Sequence, residues 1–265
     1  MTESVDLPEA FYLPKGDGRF EPTFATMSPW NADSQHGGPP SALLATCMDD
    51  LAGGPGLRLA RVTVDFLRPI PRAECTVEVA VTRPGSRVRK SEASMSVGGE
   101  VVVHASAWHI ATGAQPPDLG VHDQAVEPLP DEQPQTYFPG IGRWGYGEAI
   151  EWRFALGSYG QQGPSKVWTR MRIPLIAGRE LTGLQHALTV ADSANGLSNA
   201  LPFGEWLFIP PTMTLTLLRH PVGEWVYMDA QTTLANDGVG IARADLADND
   251  GAIGTAMQPL LVAPL

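Results

Sequence analysis

Apolar and polar residues alternate with period two along Val62 to Pro69 (VTVDFLRP) and again along Met213 to Pro221 (MTLTLLRHP). Each run ends in Leu-Arg with a proline within two residues, the pattern of a half-buried strand stopped by a turn. Arg68 and Arg219, 151 positions apart, are taken as equivalent. Upstream of each strand the period changes to that of a helix. HGGPPSALLATCMDDL puts Leu43, Leu44, Cys47, Met48 and Leu51 on one stripe, with Pro39-Pro40 in the first turn where a missing N–H costs nothing. LTGLQHALTVADSANGL aligns Leu184, Leu188 and Ala191 and predicts a helix ending near Asn195-Gly196. Downstream, strand-like runs cover Thr76 to Thr82, Ser91 to Val97 and Val101 to Ile110 in the first half. In the second half they cover Trp225 to Thr232, Gly240 to Leu246 and Ala252 to Val262. Strand-like sequence also precedes each helix: Phe20 to Trp30 in one half, Ile150 to Leu156 and Val167 to Ile173 in the other.

Strand, helix, then about four strands, twice over, predicts an α+β fold of two fused hotdog halves: one continuous antiparallel sheet wrapped around two long helices. Thr112 to Pro139, rich in Pro, Gly, Asp and Gln, reads as the crossing between them. The halves are drawn at 1–120 and 145–265 with a linker at 121–144, together one compact domain. Two unrelated α+β domains are the alternative.

A chain of 265 residues with 43% apolar content can bury a sizeable core. Its apolar runs are too short and interrupted for a membrane helix, and an acidic start, MTESVDLPEA, is unlike a secretory signal, so a cytoplasmic protein is expected. The net charge of -11 and lack of a Lys/Arg cluster argue against nucleic acid. Cys47 and Cys75, without a CxxC, read as buried hydrophobes. The histidines have no metal spacing and the serines no GxSxG elbow, so neither a metal, a cofactor nor a serine nucleophile is expected.

HGGPPSALLA at 36–45, VDFLRP at 64–69, ALTVADSANG at 187–196, the TLLR strand with GEW at 223–225, and DGAIGTAMQ at 250–258 together resemble the type II, TesB-like acyl-CoA thioesterases. The resemblance implies hydrolysis of fatty acyl-CoA to free acid and CoA. It also implies a catalytic set of Asp192, Gln258 and a hydroxyl at the start of the strand after the second helix. There the chain departs from the family: Pro210 stands at that place, and Thr212 lies two residues on, on the same strand face.

Asp192 beside Val190 and Ala191 is a candidate general base, its charged form disfavoured by desolvation; its other reading is a carboxylate terminating a helix. Gln258 offers both donor and acceptor to a site where charge develops, or else faces outward from an edge strand beside Pro259. Gly37 and Gly38 present bare N–H groups at a helix start and suit an oxyanion, or else form a simple turn before a proline-started helix; His36 beside them reads as a further donor or as a turn residue. At the offset of 151, Ser41 corresponds to Asp192, and Trp108 is matched to Gln258 by allowing one gap, so a single productive site per chain is expected. Its partner is acyl-CoA; self-association is left open. The competing functions are an acyl-CoA or acyl-chain binding protein without hydrolysis and a hotdog hydratase, for which Asp33 with His36, or Asp192 with His186, fits poorly.

Overall fold

The protein is described by a computed structural model covering residues 6–113 and 126–265. The first half runs β1 (Tyr12–Gly16), β2 (Arg19–Pro22), α1 (Gly38–Ala52), β3 (Leu57–Phe66), β4 (Cys75–Arg83), β5 (Val88–Val97) and β6 (Glu100–Ala111). The second runs α2 (Gly145–Ala149), β7 (Ile150–Leu156), β8 (Ser165–Met171), α3 (Gly183–Ala191), α4 (Ala194–Leu197), β9 (Trp206–Ile209), β10 (Thr212–Leu217), β11 (Val226–Leu234), β12 (Val239–Asp248) and β13 (Gly251–Pro264). The strands form one sheet in the order β1-β2-β4-β5-β6-β3-β10-β13-β12-β11-β8-β7, with β9 added to β13. Among the described residues no helix is long and apolar enough to cross a membrane.

The halves join where β3 pairs antiparallel with β10, Thr63 opposite Thr214. These two threonines are 151 positions apart, and their hydroxyl oxygens lie 3.0 Å from each other. Residues equated by the repeat therefore face one another across a pseudo-two-fold axis. On the inner face Val62, Val64, Met213 and Leu215 pack with Leu43, Leu44, Met48 and Leu188 in a single core spanning both halves. Burying this face is what holds the sheet around its helices.

Three expectations need correction, and one alternative reading falls. The first-half strand is not Phe20 to Trp30 but the hairpin β1–β2, turned by Gly16, Asp17 and Gly18, all at positive φ. That leaves residues 27–37 as a loop, which carries Trp30 and His36. The second helix does not continue to Gly196: α3 stops with the Asp192 N–H turned back to the Val190 carbonyl, and α4 restarts two residues later, so only α1 is long. On α1, Leu51 is 51% exposed and off the buried stripe. Finally, β13 is not an edge strand, because β12, β10 and β9 all pair with it, and Gln258 points inward with no exposure.

The described part of the segment between the halves is fastened to the second. Gln133 exchanges hydrogen bonds with the backbone N–H and C=O of Phe154, and Phe138 joins the core.

Candidate active site

Two glycines let the start of α1 abut the end of α3. A Cβ on Gly38 would fall 2.0 Å from the Thr189 carbonyl oxygen, and one on Gly37 would fall 2.7 Å from Asp192 Oδ2. A side chain at Gly38 would have to part the helices, and one at Gly37 would have to displace the Asp192 carboxylate and the Phe66 ring. The Gly37 and Gly38 N–H groups face the Asp192 carboxylate closely enough to favour its charged form, at the positive end of the α1 dipole. From the other side Gln258 Nε2 donates to Asp192 Oδ1 at 2.9 Å and to its backbone oxygen at 3.3 Å. Gln258 Oε1 in turn accepts from the Asn195 N–H at 3.3 Å, so the amide is used at both ends. Asp192 is only 6% exposed. Burial pushes its carboxyl up to about 7, against the pull of the Gln258 and glycine donors, and so makes it a base matched to neutral pH.

His36 closes the next side. Its ring stacks on Tyr146 at 3.9 Å and 3°, and the Tyr146 hydroxyl is held by the Thr189 carbonyl and Ser193 Oγ. Burial lowers the imidazole to about 3, so it is neutral. Its Nδ1 lies 3.2 Å from Asp192 Oδ2 and 3.1 Å from the Gly38 nitrogen. One nitrogen cannot both donate to the carboxylate and accept from the amide. Beside an ionised Asp192 the proton belongs on Nδ1, since a lone pair there would face a carboxylate oxygen; beside a protonated Asp192 the Gly38 N–H takes Nδ1 instead.

Asp192 and Asn195 reach a cleft of about 430 Å³, walled by His36, Phe66 and Ile70 from the first half and Ile209, Pro210 and Leu261 from the second. Gly37 and Arg68 also line it. Arg68 is exposed and pairs with exposed Glu100, whereas its counterpart Arg219 grips buried Asp248 with two nitrogens. The structure thus brings Asp192, Gln258, His36, Gly37 and Gly38 together, with Gln258 behind Asp192 rather than in the cleft wall. Thr212 is not brought to them. Strand alternation puts it on the opposite sheet face from buried Met213, where its hydroxyl donates to the Val64 carbonyl at 2.9 Å. Pro210 stands in the cleft wall without a donor.

Trp108 also lies elsewhere. In the strand register Thr63 pairs with Ser106 and Thr214 with Met257, so the counterpart of Gln258 is Ala107. Trp108 is on the outer face under the Arg83 guanidinium. Sequence reasoning missed Tyr146 and Trp30, which carry no motif, and took Asn195 for a helix cap. Its Nδ2 instead donates to the Phe208 carbonyl and ties α4 to β9.

Residues 26–110 match the family model described as the acyl-CoA thioesterase N-terminal domain, and 122–262 match that of the C-terminal domain. No curated protein matches the sequence. Among solved structures, a proposed thioesterase from Novosphingobium aromaticivorans superposes with a TM-score of 0.73 at 20% identity, covering 95% of this chain and 98% of that one. A conserved protein of unknown function with a hot dog fold from Alicyclobacillus acidocaldarius gives 0.70 at 18% identity, covering 97% of each chain. An acyl-CoA thioesterase II, TesB2, from Mycobacterium marinum gives 0.67 at 14%, covering 96% and 95%. At these identities the superpositions speak for the double-hotdog fold.

Proposed function

The chain belongs to the acyl-CoA thioesterase family, a family of thioester hydrolases, and from this premise we propose that it hydrolyses acyl-CoA at the cleft holding Asp192. The observation that carries this reading is a carboxylate almost without exposure, set at the cleft, whose burial raises it to about 7. Ionised Asp192 takes a proton from a water molecule as the water oxygen bonds to the thioester carbonyl carbon. The C–S bond then breaks, and the CoA sulfur leaves with the proton. Negative charge moves in this step from the carboxylate to the carbonyl oxygen, and the start of α1 faces both. The Gly37 and Gly38 N–H groups, which face Asp192 before the step, are the donors the oxyanion can take as that carboxylate is neutralised. Gln258 acts through Asp192 by fixing its orientation. Neutral His36 keeps one nitrogen on Asp192 or Gly38 and leaves the other for water or substrate. No hydroxyl is needed in this scheme, which accommodates Pro210 and the outward Thr212.

Release of free thiol from a panel of acyl-CoA thioesters tests the reading. The parent protein releases CoA, and Asp192→Asn lowers turnover by at least about a hundredfold with the fold intact. Equal rates in parent and variant would leave Asp192 a structural residue.

A further inference from the structure

Next to the cleft, and sharing Trp30, His36 and Asn195 with it, is a second cavity of only about 30 Å³. Its walls are rings. Trp30 stacks on Phe203 at 4.2 Å, Phe203 on Phe138 at 4.5 Å, and Phe138 on Trp144 at 5.5 Å, while Tyr159 meets Phe138 edge-on at 4.6 Å. Phe138, Trp144 and Tyr159 are each at most 5% exposed; Trp30 and Phe203, nearest the cleft, are half-buried. These rings come from residues 27–37, from the segment before α2, from the β7–β8 loop and from the approach to β9, all outside the repeated hotdog elements.

The division of space assigns the two arms of the substrate. The long, phosphorylated CoA arm needs the large cleft, where Arg68 is available to a phosphate. The acyl group then passes His36 and Asn195 into the ring-walled chamber. A space of this size holds roughly two or three water-sized groups. Widening it means parting a stack whose inner members are themselves packed on both faces, and aromatic pairs resist that beyond their burial alone. Resting on the thioesterase reading above, we infer that the site takes short acyl-CoA thioesters, of about two to four acyl carbons, and that the Trp30–Phe203–Phe138 stack is the ruler excluding longer and cyclic acyl groups.

The test measures kcat/KM for acetyl-, butyryl-, octanoyl-, palmitoyl- and benzoyl-CoA, together with binding of the matching thioether analogues to the Asp192→Asn protein. The expected result is a preference for acetyl- or butyryl-CoA over palmitoyl-CoA of at least about a hundredfold, since each badly placed methylene costs roughly tenfold or more. In Phe203→Ala the preference falls at least about tenfold, and Trp30→Ala, at the more open end of the stack, gives a second variant if the first is poorly folded. Palmitoyl- or benzoyl-CoA hydrolysed as well as butyryl-CoA would overturn the inference and leave the thioesterase reading standing. No hydrolysis, with short thioethers bound more tightly than long ones, would overturn the hydrolytic reading and support the chamber. No binding of any analogue would overturn both.

Discussion

Replacing Asp192 by Asn removes the proposed base, and it also changes how stability depends on pH. The carboxyl titrates at about 7 in the folded protein and ordinarily at 3.8. Below 3.8 it is protonated in both states and contributes nothing. Between 3.8 and 7 the unfolded chain releases a proton that the folded chain keeps, so folded-state stability falls by about 1.4 kcal/mol per pH unit. Above 7 the loss is complete, at about 4 kcal/mol, with little relief from solvent at 6% exposure. Asn has no proton to lose and lacks this slope. Its NH2 must instead face a donor, Gln258 Nε2 or the glycine amides, at a pH-independent cost of about 1–3 kcal/mol. The depressed imidazole of His36 acts in the opposite sense but is present in both proteins, so it cancels in the difference. The variant should therefore be less stable than the parent near pH 4, equal to it between about pH 4.5 and 6, and more stable at pH 8. Urea unfolding at intervals from pH 4 to 8.5 measures this, with activity followed in parallel. Parent turnover should rise with pH through about 7 as Asp192 ionises. Stability curves that run parallel over the whole range would refute the raised carboxyl and with it the reason for choosing Asp192 as base.

Gln258→Ala removes a donor to Asp192 and the acceptor for the Asn195 N–H. It should lower turnover at pH 8 on the order of tenfold to a hundredfold and move the acid limb of the pH–rate profile above that of the parent; an unmoved limb would mean that Gln258 does not act through Asp192. Gly38→Ala drives a Cβ into the Thr189 carbonyl, so thermal unfolding should show a loss of about 1–3 kcal/mol along with most activity, whereas unchanged stability would show that the helices part freely. Thr212→Val leaves the outer sheet face otherwise intact, and steady-state kinetics should stay within about twofold of the parent; a hundredfold loss would return that hydroxyl to the mechanism.

The runs of strands that follow each helix, the positions of α1 and α3 and the repeat of 151 were legible, because the inner and outer sheet faces impose a period that survives divergence between the halves. Asp192 and Gln258 were legible only through the resemblance, since nothing in VADSANG or TAMQ distinguishes a site from a cap and an edge. The helix break at Asp192 was not legible: apolar periodicity runs through it, and the turn is set by contacts with α1 and Gln258 that are distant in sequence. The capping box of Thr182 with Gln185, present as T-G-L-Q, marks the start of α3 and went unread. The hairpin β1–β2 was missed for a similar reason, as the Gly16-Asp17-Gly18 turn signal lies outside the strand that the pattern suggested. The ring-walled chamber could not be read at all, because its members come from loops with no period.

The same comparison of halves gives a reason for the proposed chemistry to lie at one end of a nearly symmetric scaffold. The strands keep the offset of 151, but the helix N-caps, Gly37 and Thr182, are only 145 apart, so the second half has six more residues between N-cap and strand. Counting from the caps, the counterpart of Asp192 is Cys47 rather than Ser41, and neither is a carboxylate. Ser41 spends its hydroxyl on the Gly37 carbonyl at 2.7 Å. The two helix starts differ at the cap: Gly183 abuts the Pro221 carbonyl oxygen much as Gly38 abuts that of Thr189, but α3 is capped by the Thr182 hydroxyl accepting from the Gln185 N–H, where α1 has bare Gly37 against Asp192. The longer passage from α3 to β10 holds Phe203 and β9, which supply Asn195 its partner and the chamber two of its rings, Phe203 and Phe208. One half thus contributes a bare helix start and the other a buried carboxylate, and the longer passage from α3 to β10 forms part of the wall where the two meet.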